Sequence, residues 1–84
     1  MNVYYITFRS VTFAQRGERL LQKRGIACTL QRTPKWMEQQ GCGYCLRLRT
    51  TDIGMILHVL QTAQVSMRKV YIQTGNGTME EWKA

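Results

Sequence analysis

The hydrophobic period of this chain changes from two residues to about 3.6 and back, twice over, and that rhythm restricts the folds open to it. Val3-Tyr4-Tyr5-Ile6-Thr7-Phe8 is rich in β-branched and aromatic side chains, as a strand requires. Tyr4, Ile6 and Phe8 would share one face, and Val3, Tyr5 and Thr7 the other. Both faces carry apolar area, which predicts a central strand. Ser10 then offers a hydroxyl to cap a helix. Phe13, Gly17, Leu20, Leu21 and Arg24 follow at helical spacing with Ala14 beside them; Gln15, Arg16, Arg19, Gln22 and Lys23 fall elsewhere on the wheel. A glycine inside a helix costs about 1 kcal/mol against alanine, so Gly17 predicts close approach of that helix to a sheet. Gly25 ends the helix in the left-handed conformation that glycine adopts without strain.

Ile26-Ala27-Cys28-Thr29-Leu30 predicts a second strand, ended by Thr33-Pro34 because proline cannot donate to a ladder. Pro34 to Gln40 reads as a loop or a short helical turn. A third strand is expected over Tyr44 to Arg49, with Tyr44, Leu46 and Leu48 toward the helices and Cys45, Arg47 and Arg49 on the opposite face. Thr51 is the expected cap of a second helix, with Asp52 in its first turn and Ile53, Ile56, Leu57 and Leu60 as its buried stripe. Arg68 to Gln73 is a fourth strand with Val70 and Ile72 inward, broken by Gly75-Asn76-Gly77. Residues 75–84 read as a tail that frays or packs through Trp82. The order β-α-β-β-α-β predicts one α+β domain over residues 1–84. It would be ferredoxin-like, with a four-stranded antiparallel sheet and two helices on one face.

A chain of 84 residues holds one small core and leaves little room for a deep substrate cavity. Twelve Lys and Arg against five Asp and Glu give a formal charge of +7, which suits nucleic acid, an acidic protein surface or a small oxyanion. Three cysteines are too few, and odd in number, for a disulfide framework. No signal peptide is expected, since the first residues run straight into a strand pattern. The longest apolar stretch, Ile53 to Leu60, is too short to cross a bilayer. A reducing, cytoplasmic setting with no membrane contact is therefore expected.

Chemistry concentrates in Gly41-Cys42-Gly43-Tyr44-Cys45-Leu46-Arg47-Leu48-Arg49. Only a thiolate is nucleophilic, and nearby cations lower its pKa. Cys42 sits on a glycine-flanked stretch, with Lys35, Arg47 and Arg49 as candidate cations and the N–H groups of Gly43 and Tyr44 as further support for negative sulfur. The opposing reading is a buried small side chain at the start of a strand. Cys42 and Cys45 have redox spacing, but an ideal strand points them to opposite faces, so a disulfide needs a turn at Gly43. A zinc site needs four ligands; beyond this pair only Cys28 and His58 are soft donors, and neither is expected to join, so no metal is assigned unless a dimer shares two pairs. No cofactor is expected. Cys28 reads as a core residue and Glu18 as one half of a helix-face ion pair. On the sheet face away from the helices, Tyr5, Arg47, Arg49, Lys69 and Tyr71 combine aromatics with cations, as RNA-binding sheets do. The glycine–aromatic signature of such sheets is absent, so a second copy of the chain or an acidic protein is the preferred occupant over nucleic acid.

Phe8-Arg9-Ser10, Ala14, Glu18, Leu20-Leu21, Gly25-Ile26, Pro34 and Cys42-Gly43, in that order, resemble the motifs of a small bacterial family of selenium/sulfur carrier-like proteins. The resemblance runs from about Tyr4 to Tyr71. It implies a carrier that accepts a chalcogen on Cys42 and passes it to a sulfur- or selenium-transfer protein, with Cys45 as a resolving or supporting thiol. Ser10, Glu18 and Pro34 are motif positions read as structural. Glu38-Gln39-Gln40-Gly41 departs from the small serine-type residues expected before the cysteine, and Cys45 is not a defining position, so Cys42 is the better supported of the two.

Overall fold

In the computed structural model, which describes residues 1–35 and 43–83, strand β1 (Asn2–Phe8) is the middle strand of an antiparallel sheet. Helix α1 (Val11–Lys23), β2 (Cys28–Arg32), β3 (Tyr44–Thr50), α2 (Ile53–Thr62), β4 (Met67–Gln73) and β5 (Met79–Trp82) follow. The α+β class, with two helices and an antiparallel sheet, stands. The four-stranded sheet does not: five strands run in the order β2-β3-β1-β4-β5, which departs from a simple ferredoxin-like sheet.

The added strand lies in the segment expected to be a tail. Two adjacent glutamates give Met79-Glu80-Glu81-Trp82 little strand propensity of its own. Pairing supplies what propensity does not, with Gln73 opposite Met79 and Val70 opposite Trp82. A tight turn joins the two strands: the Thr74 N–H donates to the Thr78 carbonyl at 2.7 Å, and Gly77 takes φ +85°. Trp82 packs half-buried against the core.

One core lies between the sheet and both helices. Tyr4, Ile6 and Phe8 of β1 meet Leu46 and Leu48 of β3, Val70 of β4, Ala14 and Leu21 of α1, and Ile53, Ile56, Val59 and Leu60 of α2. The alternation expected for β1 and β3 is what positions these side chains. Gly17 is where α1 comes closest. A Cβ there would stand 3.3 Å from Leu46 Cδ1 and 3.4 Å from both Leu60 Cδ2 and Phe8 Cζ.

Two boundaries differ from expectation for local reasons. The second strand starts at Cys28, not Ile26, because the preceding residues finish the helix. The Gly25 N–H donates to the Gln22 carbonyl and the Ile26 N–H to the Leu21 carbonyl, while Gly25 sits at φ +77°. The cap of α2 is Asp52, whose carboxylate accepts the Met55 N–H at 3.1 Å; Thr50, not Thr51, supports it by accepting the Asp52 N–H at 3.0 Å.

Candidate functional site

Strands β2 and β3 close one end of the sheet with Arg32 opposite Tyr44. One step beyond, the Thr33 N–H donates to the Gly43 carbonyl at 2.9 Å, which clasps the two feet of the connection 34–42. Gly43 is buried and adopts φ +82°, a region where a side chain would be strained. Its covalent neighbour is Cys42. Cys42 and residues 36–41, Gly41 included, lie outside the described residues, so the geometry of the site is that of its feet. Thr33 is buried, Pro34 half-buried and Lys35 exposed. The Arg32 guanidinium stands over the Tyr44 ring, 5.4 Å from its centroid.

Topology brings a third element to this end. Thr7 pairs with Cys45, so β1 runs toward the start of β3, and Phe8-Arg9-Ser10 and the beginning of α1 lie at the same end of the sheet as the clasp. Ser10 caps that helix as expected, its hydroxyl accepting the Phe13 N–H at 3.3 Å. No acidic residue occupies the first turn, so the helix itself supplies no carboxylate to offset the positive end of its dipole. Exposed Arg9 and Arg32 join Lys35 at this end. Arg9 stands in the Phe8-Arg9-Ser10 motif and Arg32 two residues before Pro34; neither is among the cations expected near Cys42, and the strand register is what places both at this end of the sheet.

Arg47 and Arg49 are not brought to the clasp. They lie four and six residues along β3 from Gly43, or about 13 and 20 Å at the rise of a strand. With Cys28, Thr29, Met55 and Ile56 they line a separate groove of about 540 Å³. Cys28 is half-buried and no activated nucleophile. Burial pushes its thiol above the usual value and the Glu18 carboxylate adds to the rise. Its Sγ–H donates to the Glu18 carbonyl at 3.8 Å.

Glu18 does not form the ion pair expected of it among the described residues. Its Oε2 accepts the Leu30 N–H at 3.3 Å and so ties α1 to the edge strand β2. Cys45 is 0 % exposed, sealed with Tyr5 and Tyr71 on the sheet face away from the helices, where Val3 and Met79 pack against them. Tyr5 and Tyr71 are thus buried rather than presented, and Lys69 is 3.8 Å from Glu81. Burial, and then Glu81, raise the Tyr71 phenol pKa, with Arg68 opposing.

Comparison with protein families gives one decisive result: the family model described as putative Se/S carrier protein-like matches residues 3–72 of the 84-residue chain. The chain belongs to that family. The match takes in every element of this carrier-like family member up to β4, and with them the clasp, Cys42 and the start of α1. Strand β5 lies beyond it. Comparison with curated proteins and with solved structures returned no match. No helix among the described residues is long and apolar enough to cross a membrane.

Proposed function

We propose that this protein carries a sulfur or selenium atom on Cys42 and hands it to a partner protein. The family match across residues 3–72 carries this reading, and the construction of the Cys42 foot supports it. A left-handed glycine held by a backbone clasp fixes the foot at which the connection 34–42 meets β3. Arg9, Arg32, Lys35 and the start of α1 supply positive potential at that end, which favours thiolate over thiol.

In the loading step the Cys42 thiolate attacks the outer sulfur of a donor persulfide, R–S–SH. A new S–S bond forms on Cys42, the donor S–S bond breaks, and R–S⁻ leaves and takes up a proton. Unloading runs the same exchange onto a thiolate of the acceptor, so no external oxidant or reductant is consumed. Selenium follows the same path through a selenosulfide. Cys45 has no access to solvent, so in this scheme it supports the start of β3 and does not exchange. Among the described cations, this reading gives the support of the thiolate to Arg9, Arg32 and Lys35, at the end of the sheet that holds Gly43, ahead of Arg47 and Arg49 further along β3. A reducing, cytoplasmic setting suits a free acceptor thiol. The rival use of the sheet as an RNA platform is disfavoured by the burial of Tyr5 and Tyr71, since stacking needs exposed rings.

Alkylation rates measured against pH test the primed thiol. In a Cys28→Ala/Cys45→Ala background, Cys42 should react at neutral pH several-fold faster than a peptide thiol, with its half-maximal rate below the usual thiol pKa of about 8.5. A rate and midpoint equal to the peptide's would remove the electrostatic support for a carrier.

A further inference from the structure

The outer surface of α1 holds a feature that the carrier chemistry does not use. Arg16, Arg19 and Lys23 are all exposed, and at 100° per residue they fall within an arc of about 60°. They form a stripe about 10.5 Å long. Thr12, Gln15 and Gln22, the exposed residues around them, are uncharged, and the one carboxylate of the helix, Glu18, is turned to β2. Arg19 and Lys23 have no hydrogen-bond or ion-pair partner among the described residues. Arg16 is held in place: its Nη2 donates to the Ala63 carbonyl at 3.5 Å and its guanidinium lies 5.8 Å from the Phe13 ring centroid. These cations rim a shallow groove of about 230 Å³ whose floor is Leu20, Ala63 and Val65.

We infer that this groove is where the transfer partner docks, through an acidic segment that lays an apolar side chain on the floor and carboxylates along the rim. The inference rests on the carrier reading for the identity of the partner, but on charge and shape for its chemistry. Unpaired cations select an anion. An apolar floor selects a peptide side chain over a phosphate backbone, which has nothing to bury there. The stripe lies on the helix whose first turn stands at the clasp end of the sheet.

Fluorescence anisotropy with three labelled probes tests this. The probes are a helical peptide with glutamates on one flank and leucines on the other, a glutamate-only peptide of equal charge, and a single-stranded RNA of equal charge. The leucine-bearing peptide should bind tightest. Arg19→Glu/Lys23→Glu should weaken it about tenfold, whereas Arg49→Glu/Lys83→Glu, with the same change in net charge elsewhere, should change it less than about twofold. Equal losses in both double variants would reduce the effect to general attraction and overturn the proposal. Equal binding of the glutamate-only peptide would remove the role of the floor and also overturn it. RNA binding tighter than the peptide and losing affinity with the same pair would assign the groove to nucleic acid instead. Loading of Cys42 from a small persulfide, read by mass on the same proteins, should be unchanged by Arg19→Glu/Lys23→Glu. Failure of loading in the wild type would therefore count against the carrier chemistry alone.

Discussion

Glu18 shows how one side chain can serve two neighbours. Its carboxylate accepts the Leu30 N–H, and its charge opposes ionisation of Cys28. Glu18→Gln keeps an acceptor for that N–H and removes the charge. The pH of half-maximal Cys28 alkylation should then fall, though only partway, because burial is the larger cause and persists. Stability follows from the same shift. The folded thiol ionises at higher pH than the unfolded one, so its contribution is whole below the ordinary thiol pKa and is lost as pH rises through the raised value. Glu18→Gln should narrow that window, and an unchanged alkylation midpoint would show that the carboxylate does not act on the thiol. Glu18→Ala loses the tether as well and should cost about 1–2 kcal/mol in denaturant unfolding. At Gly17 two effects compete. Alanine gains about 1 kcal/mol of helix propensity but sets a methyl against Leu46, Leu60 and Phe8, all fully buried. Crowding should win, with Gly17→Ala about 1 kcal/mol less stable than wild type; a gain of the full propensity would mean the core has slack there.

Among the elements, strands and helices whose pattern reflects burial were legible in the sequence. The alternation of Val3 to Phe8, and of Tyr44 to Arg49, already placed Tyr4, Ile6, Leu46 and Leu48 on one face and Tyr5 and Cys45 on the other. Gly17 announced the close approach of α1, and Ser10 its cap. Elements held by pairing were not legible. β5 has almost no propensity of its own and exists because β4 offers an open edge. β2 slid by two residues because Gly25 and Ile26 are committed to the end of α1. Within β5 the weight falls on packing. Trp82→Ala should cost about 2 kcal/mol or more in thermal or denaturant unfolding. Glu81→Gln, which removes a partly exposed ion pair with Lys69, should cost no more than about 0.5 kcal/mol. The reverse ranking would mean that charge, not burial, holds the fifth strand.

At the scale of the whole molecule, the net charge of +7 is unevenly spread. Arg9, Arg32 and Lys35 stand exposed at the clasp end and Arg19 and Lys23 along α1, while Glu80 and Glu81 lie on β5 and Asp52 at the start of α2. The charge total was legible in the sequence; its distribution was not, because strand register decides which residues gather at one end. The same holds for the site. Composition and motif pointed to Cys42 with Lys35, Arg47 and Arg49; the register adds that Arg9, just after β1, and Arg32, at the end of β2, stand at the Gly43 end of the sheet, while Arg47 and Arg49 lie further along β3. The central claim is that Cys42 holds a chalcogen atom as cargo. Intact mass after incubation with a small persulfide (R–S–SH) or selenosulfide (R–S–SeH) donor tests it directly. The protein should gain the mass of one sulfur or one selenium atom, released by a thiol reductant; the gain should persist in Cys28→Ala and Cys45→Ala and vanish in Cys42→Ala. A wild-type mass that does not change, or a gain that survives Cys42→Ala, would contradict it.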